Sequence, residues 1–218
     1  MKKSKSLRKQ VRIVQTVEQI TEPYSIRIAG IGGQGNILMG ITLARALTLE
    51  KKWVVQTQSY SAQVRGGISY SDILFSNYPI DYPRTQQYDI LYIMHQKSME
   101  AFKENLRVNG ILIVDQTYVS NIPRMIFAVT RKIVSLPITE LAREKLNNPV
   151  VANMIGLGLL AKITGWLELE NLKKAMREYV KKGHHELNEK AIELGFSLTS
   201  KKFRVRDERL KYVGRGFE

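Results

Sequence analysis

Tyr24-Ser25-Ile26-Arg27-Ile28-Ala29-Gly30-Ile31-Gly32-Gly33-Gln34-Gly35-Asn36-Ile37-Leu38-Met39-Gly40 is the stretch whose reading decides the fold. Its first six residues form an apolar run of the kind that makes a buried strand. Gly30 to Gly35 satisfy G-x-G-x-x-G, with Gly30, Gly32 and Gly35 at the three defining positions. From Asn36 the apolar positions Ile37, Ile41, Ala44 and Leu47 recur every three to four residues, which predicts a helix over 36–49. Strand, glycine turn and helix in this order place backbone amides at a helix start, where an anion is stabilised.

Downstream the pattern alternates. Strands are expected over 53–56, 68–75, 88–94, 111–114 and, as a short last strand, 125–129; a helix over 97–106 is expected to close near Asn109-Gly110. After Pro137 the chain turns helical, over 138–146, 150–162, 167–181 and 185–193, with Gly165, Gly183 and Gly195 placed as helix ends of positive φ. Strands interleaved with helices at this spacing predict an α/β, Rossmann-like three-layer fold with a mainly parallel sheet and a helical C-terminal part. Three segments are expected: a basic N-terminal arm, 1–23; the α/β domain, 24–196; and a basic C-terminal tail, 197–218.

Cysteine is absent from the 218 residues, so the chain itself supplies no disulfide, thiolate nucleophile or iron–sulfur ligand. Apolar runs fall short of the roughly 18 residues of a membrane span, and no secretory pattern follows the basic start, so the expected location is cytoplasmic, off the membrane. The net charge of +14 raises the question of nucleic acid. Residues 1–23 hold six Lys/Arg against two acids and residues 197–218 hold seven against three, while the 173 residues between hold 21 against 15. Most of the excess lies in the tails, which argues against a nucleic-acid-binding core.

A dinucleotide enzyme of this type places an acidic residue at the end of its second strand, about 20 residues beyond the turn, to hold the ribose hydroxyls. Here that stretch reads Val54-Val55-Gln56-Thr57-Gln58-Ser59, and the nearest acid, Glu50, precedes the strand. Gln34 brings a polar amide into the turn, suited to bonding the neighbouring loop or a ligand. A second cluster, Ser59-Tyr60-Ser61-Ala62-Gln63-Val64-Arg65-Gly66-Gly67, follows the second strand and pairs close-approach glycines with one guanidinium for a carboxylate or phosphate. Carboxyl-end loops share one edge of a parallel sheet, so this loop is expected beside Gly30–Gly35.

The two clusters, together with Ile68-Ser69, Ile80-Asp81-Tyr82-Pro83, Tyr88-Asp89-Ile90-Leu91 and Asn153-Met154-Ile155-Gly156-Leu157-Gly158, give the chain its resemblance, over about residues 26–195, to the gamma subunit of 2-oxoacid:ferredoxin oxidoreductases. Ser59-Tyr60 and Ile80–Pro83 tilt the resemblance toward the 2-oxoglutarate branch over the pyruvate, 2-oxoisovalerate and indolepyruvate branches. The resemblance implies a part in a multi-subunit enzyme that oxidatively decarboxylates a 2-oxoacid on thiamine diphosphate, passes the acyl group to coenzyme A and reduces ferredoxin. Thiamine diphosphate, Mg and iron–sulfur clusters would belong to alpha, beta and ferredoxin-like delta partners, and this chain alone would bind no cofactor and be inactive. Its share would be coenzyme A handling and assembly, carried by Gly30, Gly32, Gly33, Gln34, Gly35, Arg65, Gly66 and Gly67. A free-standing dinucleotide-dependent oxidoreductase is the alternative.

No catalytic and no metal-binding residue is assigned. His184 and His185 are adjacent and so face different sides of a helix, without a third ligand at metal spacing. His95 and Asp115 close the fourth and fifth strands, at the edge where ligand loops gather. Gly156 and Gly158 inside a helix imply close approach of another backbone, in subunit or helix–sheet packing, with Asn153 placed to bond a loop at the sheet edge.

Overall fold

The computed structural model describes residues 23–60 and 66–206. β1 (Tyr24–Ile31) leads through the glycine turn to α1 (Asn36–Leu49), β2 (Trp53–Ser59) and β3 (Ile68–Ser76); β4 (Tyr88–Ile93), α2 (Gln96–Phe102), β5 (Leu106–Asp115), α3 (Arg124–Val129) and β6 (Lys132–Leu136) follow. The C-terminal part is α4 (Ile138–Leu146), α5 (Ala152–Thr164), α6 (Leu169–Tyr179) and α7 (His185–Ser197).

The six strands form one sheet in the order β2-β3-β1-β4-β5-β6. β1, β4, β5 and β6 pair in parallel, whereas β3 runs antiparallel to both β1 and β2. Being opposed to the same strand, β1 and β2 point the same way, so their carboxyl ends lie on one edge. The expected mainly parallel α/β fold is observed, with β3 as its antiparallel member.

Alternate residues of the central strands feed two cores. Ile90, Tyr92, Ile111 and Ile113 pack toward α1 and α5, and Leu91, Ile93, Leu112 and Val114 toward α2 and α3. Burial on both faces is why these strands read as continuous apolar runs. α5 is buried along nearly its whole length and sits between sheet and helix: a Cβ on Gly156 would strike the Tyr92 hydroxyl, and one on Gly158 the Ile192 carbonyl of α7. The close approach expected there is to the sheet and to α7 within the chain.

Several expected boundaries move. Residues 125–129 are helical, in α3: Pro123 starts a single turn that buries Ile126 alone, and the last strand is Lys132–Leu136, where Ile133 and Val134 continue the β5 ladder. α2 ends at Phe102, and Asn109-Gly110 lies within β5. Asn109 takes φ 59 where the pairing jumps from Tyr88↔Leu106 to Ile90↔Ile111, so this turn signal marks a bulge. Gly165 ends α5 with φ 66, but Gly183 and Gly195 have no positive φ. Gly195 is interior to α7, where a Cβ would meet the Ile155 carbonyl, so its small size serves packing.

Candidate functional site

At the carboxyl edge of the sheet, β1 is followed by a helix on one face and β4 by a helix on the other. The crevice between their ends is the switch point where open α/β sheets take ligands. Gly32–Gly35 follow β1 on one side, and Met94 and His95 follow β4 on the other.

Gly33 and Gly35 take φ 99 and 74, a region that other residues enter only at a cost. A Cβ on Gly33 would meet nothing within 4 Å, so its backbone is open to a ligand; one on Gly35 would strike Asn153. Gly35 is the N-cap of α1, with no side-chain cap, and the first turn of α1 contains no acid. The positive end of a 14-residue helix therefore faces the turn without a neutralising side chain, a setting suited to an anion.

Gln34 closes the crevice from within. Its Oε1 accepts the Ile31 N–H at 2.9 Å and its Nε2 donates to the Met94 carbonyl at 2.9 Å. The amide is spent on the protein, joining the end of β1 to the end of β4. A Cβ on Gly30 would stand 2.6 Å from Gln34 Oε1, so a side chain there would push this amide out of its tie. Ser98 of α2 ties the same place, donating to the Gly30 carbonyl at 2.9 Å.

The second cluster lies beside the first, as the shared edge requires: the Gly32 N–H donates to the Gly67 carbonyl at 3.0 Å. Gly66 takes φ 73 with open space where a Cβ would be. Asn36, buried at the start of α1, donates to the Ser69 carbonyl at 2.6 Å and accepts from the Ser69 hydroxyl at 3.2 Å. Arg65, the guanidinium expected here, lies outside the described residues. Lys97, which sequence reasoning missed, sends Nζ to within 3.4 Å of the Gly66 carbonyl. Asn36 and Ser98 were missed too; a polar residue directly after the glycine motif was the available signal for Asn36, and nothing local marks Ser98.

Two clefts flank the joined turns. One of about 150 Å³ is lined by Gly33, Gln34, Met94, Tyr118, Thr139 and Val150. The other, about 560 Å³, is lined by Ser59, Tyr60, Gly66, Gly67, Tyr70 and Lys97. Together they offer open backbone, an uncapped helix start, one ammonium and apolar walls, a surface that accommodates an extended anionic ligand.

His95 and Asp115 brace this edge. His95 caps α2 by accepting the Lys97 N–H on Nδ1 at 3.1 Å, and burial, with the Lys97 charge, pushes its pKa below the ordinary histidine value. Asp115, 1% exposed, accepts from Thr117 N at 3.0 Å and from the Thr139 hydroxyl at 2.5 Å. Asn153 donates to the Gly35 carbonyl at 3.3 Å, as its place near the sheet edge suggested. His185 contacts the Val180 carbonyl at 2.7 Å. Among the described residues no three His, Asp or Glu side chains gather as a metal site.

The insertion of β3 also bears on dinucleotide chemistry. It moves the end of β2 one strand spacing, about 4.8 Å, farther from the glycine turn than in a fold where β2 adjoins β1. That end carries Thr57, Gln58 and Ser59 and no carboxylate.

The fold and its paired turns define a doubly wound domain with a switch-point site, of the class found as gamma subunits in 2-oxoacid oxidoreductases. The chain belongs to the pyruvate ferredoxin/flavodoxin oxidoreductase family, whose pattern matches residues 25–198. It is 37% identical to 2-oxoglutarate synthase subunit KorC of Methanocaldococcus jannaschii over 174 residues, covering 79% of this chain and 92% of that one. The crystal structure of the keto/oxoacid ferredoxin oxidoreductase gamma subunit from Geobacter sulfurreducens superposes with a TM-score of 0.71 at 33% identity, covering 81% of this chain and 95% of that one. The 2-oxoglutarate:ferredoxin oxidoreductase of Magnetococcus marinus, solved with 2-oxoglutarate, coenzyme A and succinyl-CoA bound, shares the fold with a TM-score of 0.71 at 20% identity. The match covers 86% of this chain and 33% of that one.

Proposed function

We propose that this chain is the gamma subunit of a 2-oxoglutarate:ferredoxin oxidoreductase, a cytoplasmic assembly in which it receives coenzyme A and is inactive alone. The observation that carries the reading is the joined pair of turns, Gly32 N to Gly67 O, beside the uncapped start of α1. Gly30, Gly32, Gly33, Gly35, Gly66 and Gly67 present backbone to the coenzyme, Arg65 and Lys97 supply cations for its phosphates, and Gln34 holds the crevice in shape.

The oxoacid assignment is supported by identity to KorC. Alpha and beta partners, with a ferredoxin-like delta subunit, hold thiamine diphosphate, Mg and the iron–sulfur clusters; ferredoxin accepts the electrons. Thiamine diphosphate supplies carbanion stabilisation to the decarboxylation when bound. This chain's residues bind and orient the coenzyme and pack the assembly.

The test is isothermal titration of coenzyme A into the assembled enzyme carrying Gly33→Val or the wild-type chain. The reading expects at least tenfold weaker binding in the variant, since a branched side chain at Gly33 intrudes on the open backbone. Equal affinity would place the coenzyme elsewhere.

A further inference from the structure

The opposite edge of the sheet carries a second surface. β1 spans eight residues, so the start of the domain stands about 23 Å from the glycine turn. Here the two ends of the described domain meet: Arg206 donates to both Asp89 oxygens at 2.8 and 2.7 Å and to the Pro23 carbonyl at 2.7 Å. The segment leading to it is anchored by Phe203 N to the Ile163 carbonyl at 2.7 Å and by Lys132 Nζ to the Arg204 carbonyl at 2.7 Å.

This end is cationic. Residues 201–206 contain Lys201, Lys202, Arg204 and Arg206 and no acid, whereas residues 207–218 are balanced, three Lys/Arg against three Asp/Glu. The positive excess of the C-terminal tail therefore lies in the part packed on the domain. Lys201, Lys202 and Arg204 are exposed. Asp89, a buried acid at this edge, is already paired with Arg206 and stands 3.6 Å from Arg107. Residues 1–22, with six Lys/Arg against two Glu, join the domain at the same point through Pro23.

In the Magnetococcus chain this fold makes up a third of a longer polypeptide. A continuation from either end of the domain starts at the Pro23–Arg206 junction.

We propose that the cationic end built by Lys201, Lys202, Arg204 and the Pro23–Arg206 junction docks an acidic surface of a partner subunit of the oxidoreductase, at the end of the fold from which a longer polypeptide continues. The proposal rests on the reading that this chain works beside separate catalytic subunits. Opposite charge steers and orients such a contact, and salt weakens it.

The test measures assembly of the full chain with its alpha and beta subunits by sedimentation at 50 and 500 mM salt. The comparison is with Lys201→Glu/Lys202→Glu/Arg204→Glu, and with Lys181→Glu/Lys182→Glu as a charge control on another face. All three side chains of the first variant are exposed, and circular dichroism checks the fold. The proposal expects wild-type assembly to weaken at least tenfold at high salt, the triple variant to be at least tenfold weaker at low salt, and the control to match wild type. Equal assembly by the triple variant, or equal loss in the control, would overturn it alone. Co-purifying nucleic acid lost in the triple variant, with assembly intact, would reassign the surface to nucleic acid. Failure of the wild-type chain to assemble at all would overturn the gamma-subunit reading with it.

Discussion

Gln34 Nε2 donates to the Met94 carbonyl across the switch point at 2.9 Å, while its Oε1 accepts the Ile31 N–H at 2.9 Å. One side chain thus fixes the spacing between the ends of β1 and β4. Gln34→Glu keeps the acceptor and removes the donor, leaving a carboxylate against a carbonyl. The expected cost is about 1–3 kcal/mol in stability, with a roughly tenfold higher KM for coenzyme A in the assembled enzyme from the misplaced turn. Thermal melting and steady-state kinetics check the two arms.

Glycines that look alike in the sequence differ sharply in what surrounds them. Gly33→Ala adds a methyl into open space and costs the strain of φ 99 alone, about 1–2 kcal/mol. Gly195→Ala drives a methyl into the Ile155 carbonyl and should cost about 3 kcal/mol or more, because both helix backbones must part. Urea unfolding of the two variants should rank them in that order.

Tyr92 places its hydroxyl in the core against Gly156 with no hydrogen-bond partner among the described residues. Burial also holds the phenol well above its ordinary pKa, so it stays neutral. Tyr92→Phe removes an unsatisfied polar atom and should stabilise the chain by about 1 kcal/mol, a rise of about 2–4 °C in Tm at this size.

The His95 pKa is depressed in the fold, chiefly by burial and then by Lys97. Below about pH 6.5 the unfolded chain takes up the proton first, so stability is full above that pH and declines as pH falls toward the folded value. Protonation also removes the Nδ1 acceptor that caps α2. NMR titration should place the His95 midpoint below the ordinary histidine value of about 6.5, and His95→Asn, which keeps a capping acceptor, should flatten the acid slope.

Much of this was legible in residue order. Gly30–Gly35 and the apolar alternation announced the sheet, and the missing acid after Val55 turned the site away from dinucleotides. The placement of the second cluster beside the first followed from strand direction alone. What escaped depended on tertiary partners. The Arg124–Val129 segment has strand-like composition, yet Pro123 and one buried contact make it a helical turn. Gly195 resembles a helix stop, and only the arrival of α5 explains it. Gln34 read equally well as a ligand contact or a loop tie; Met94, 60 residues away in sequence, decided for the tie.

The most direct test of the central claim is reconstitution of alpha, beta and partner ferredoxin-like subunits with and without this chain, followed by ferredoxin reduction with 2-oxoglutarate, pyruvate or 2-oxoisovalerate and coenzyme A. The account predicts 2-oxoglutarate-dependent reduction that requires this chain, with at least tenfold lower rates on the other oxoacids. Full activity without the chain, or a preference for pyruvate, would contradict it.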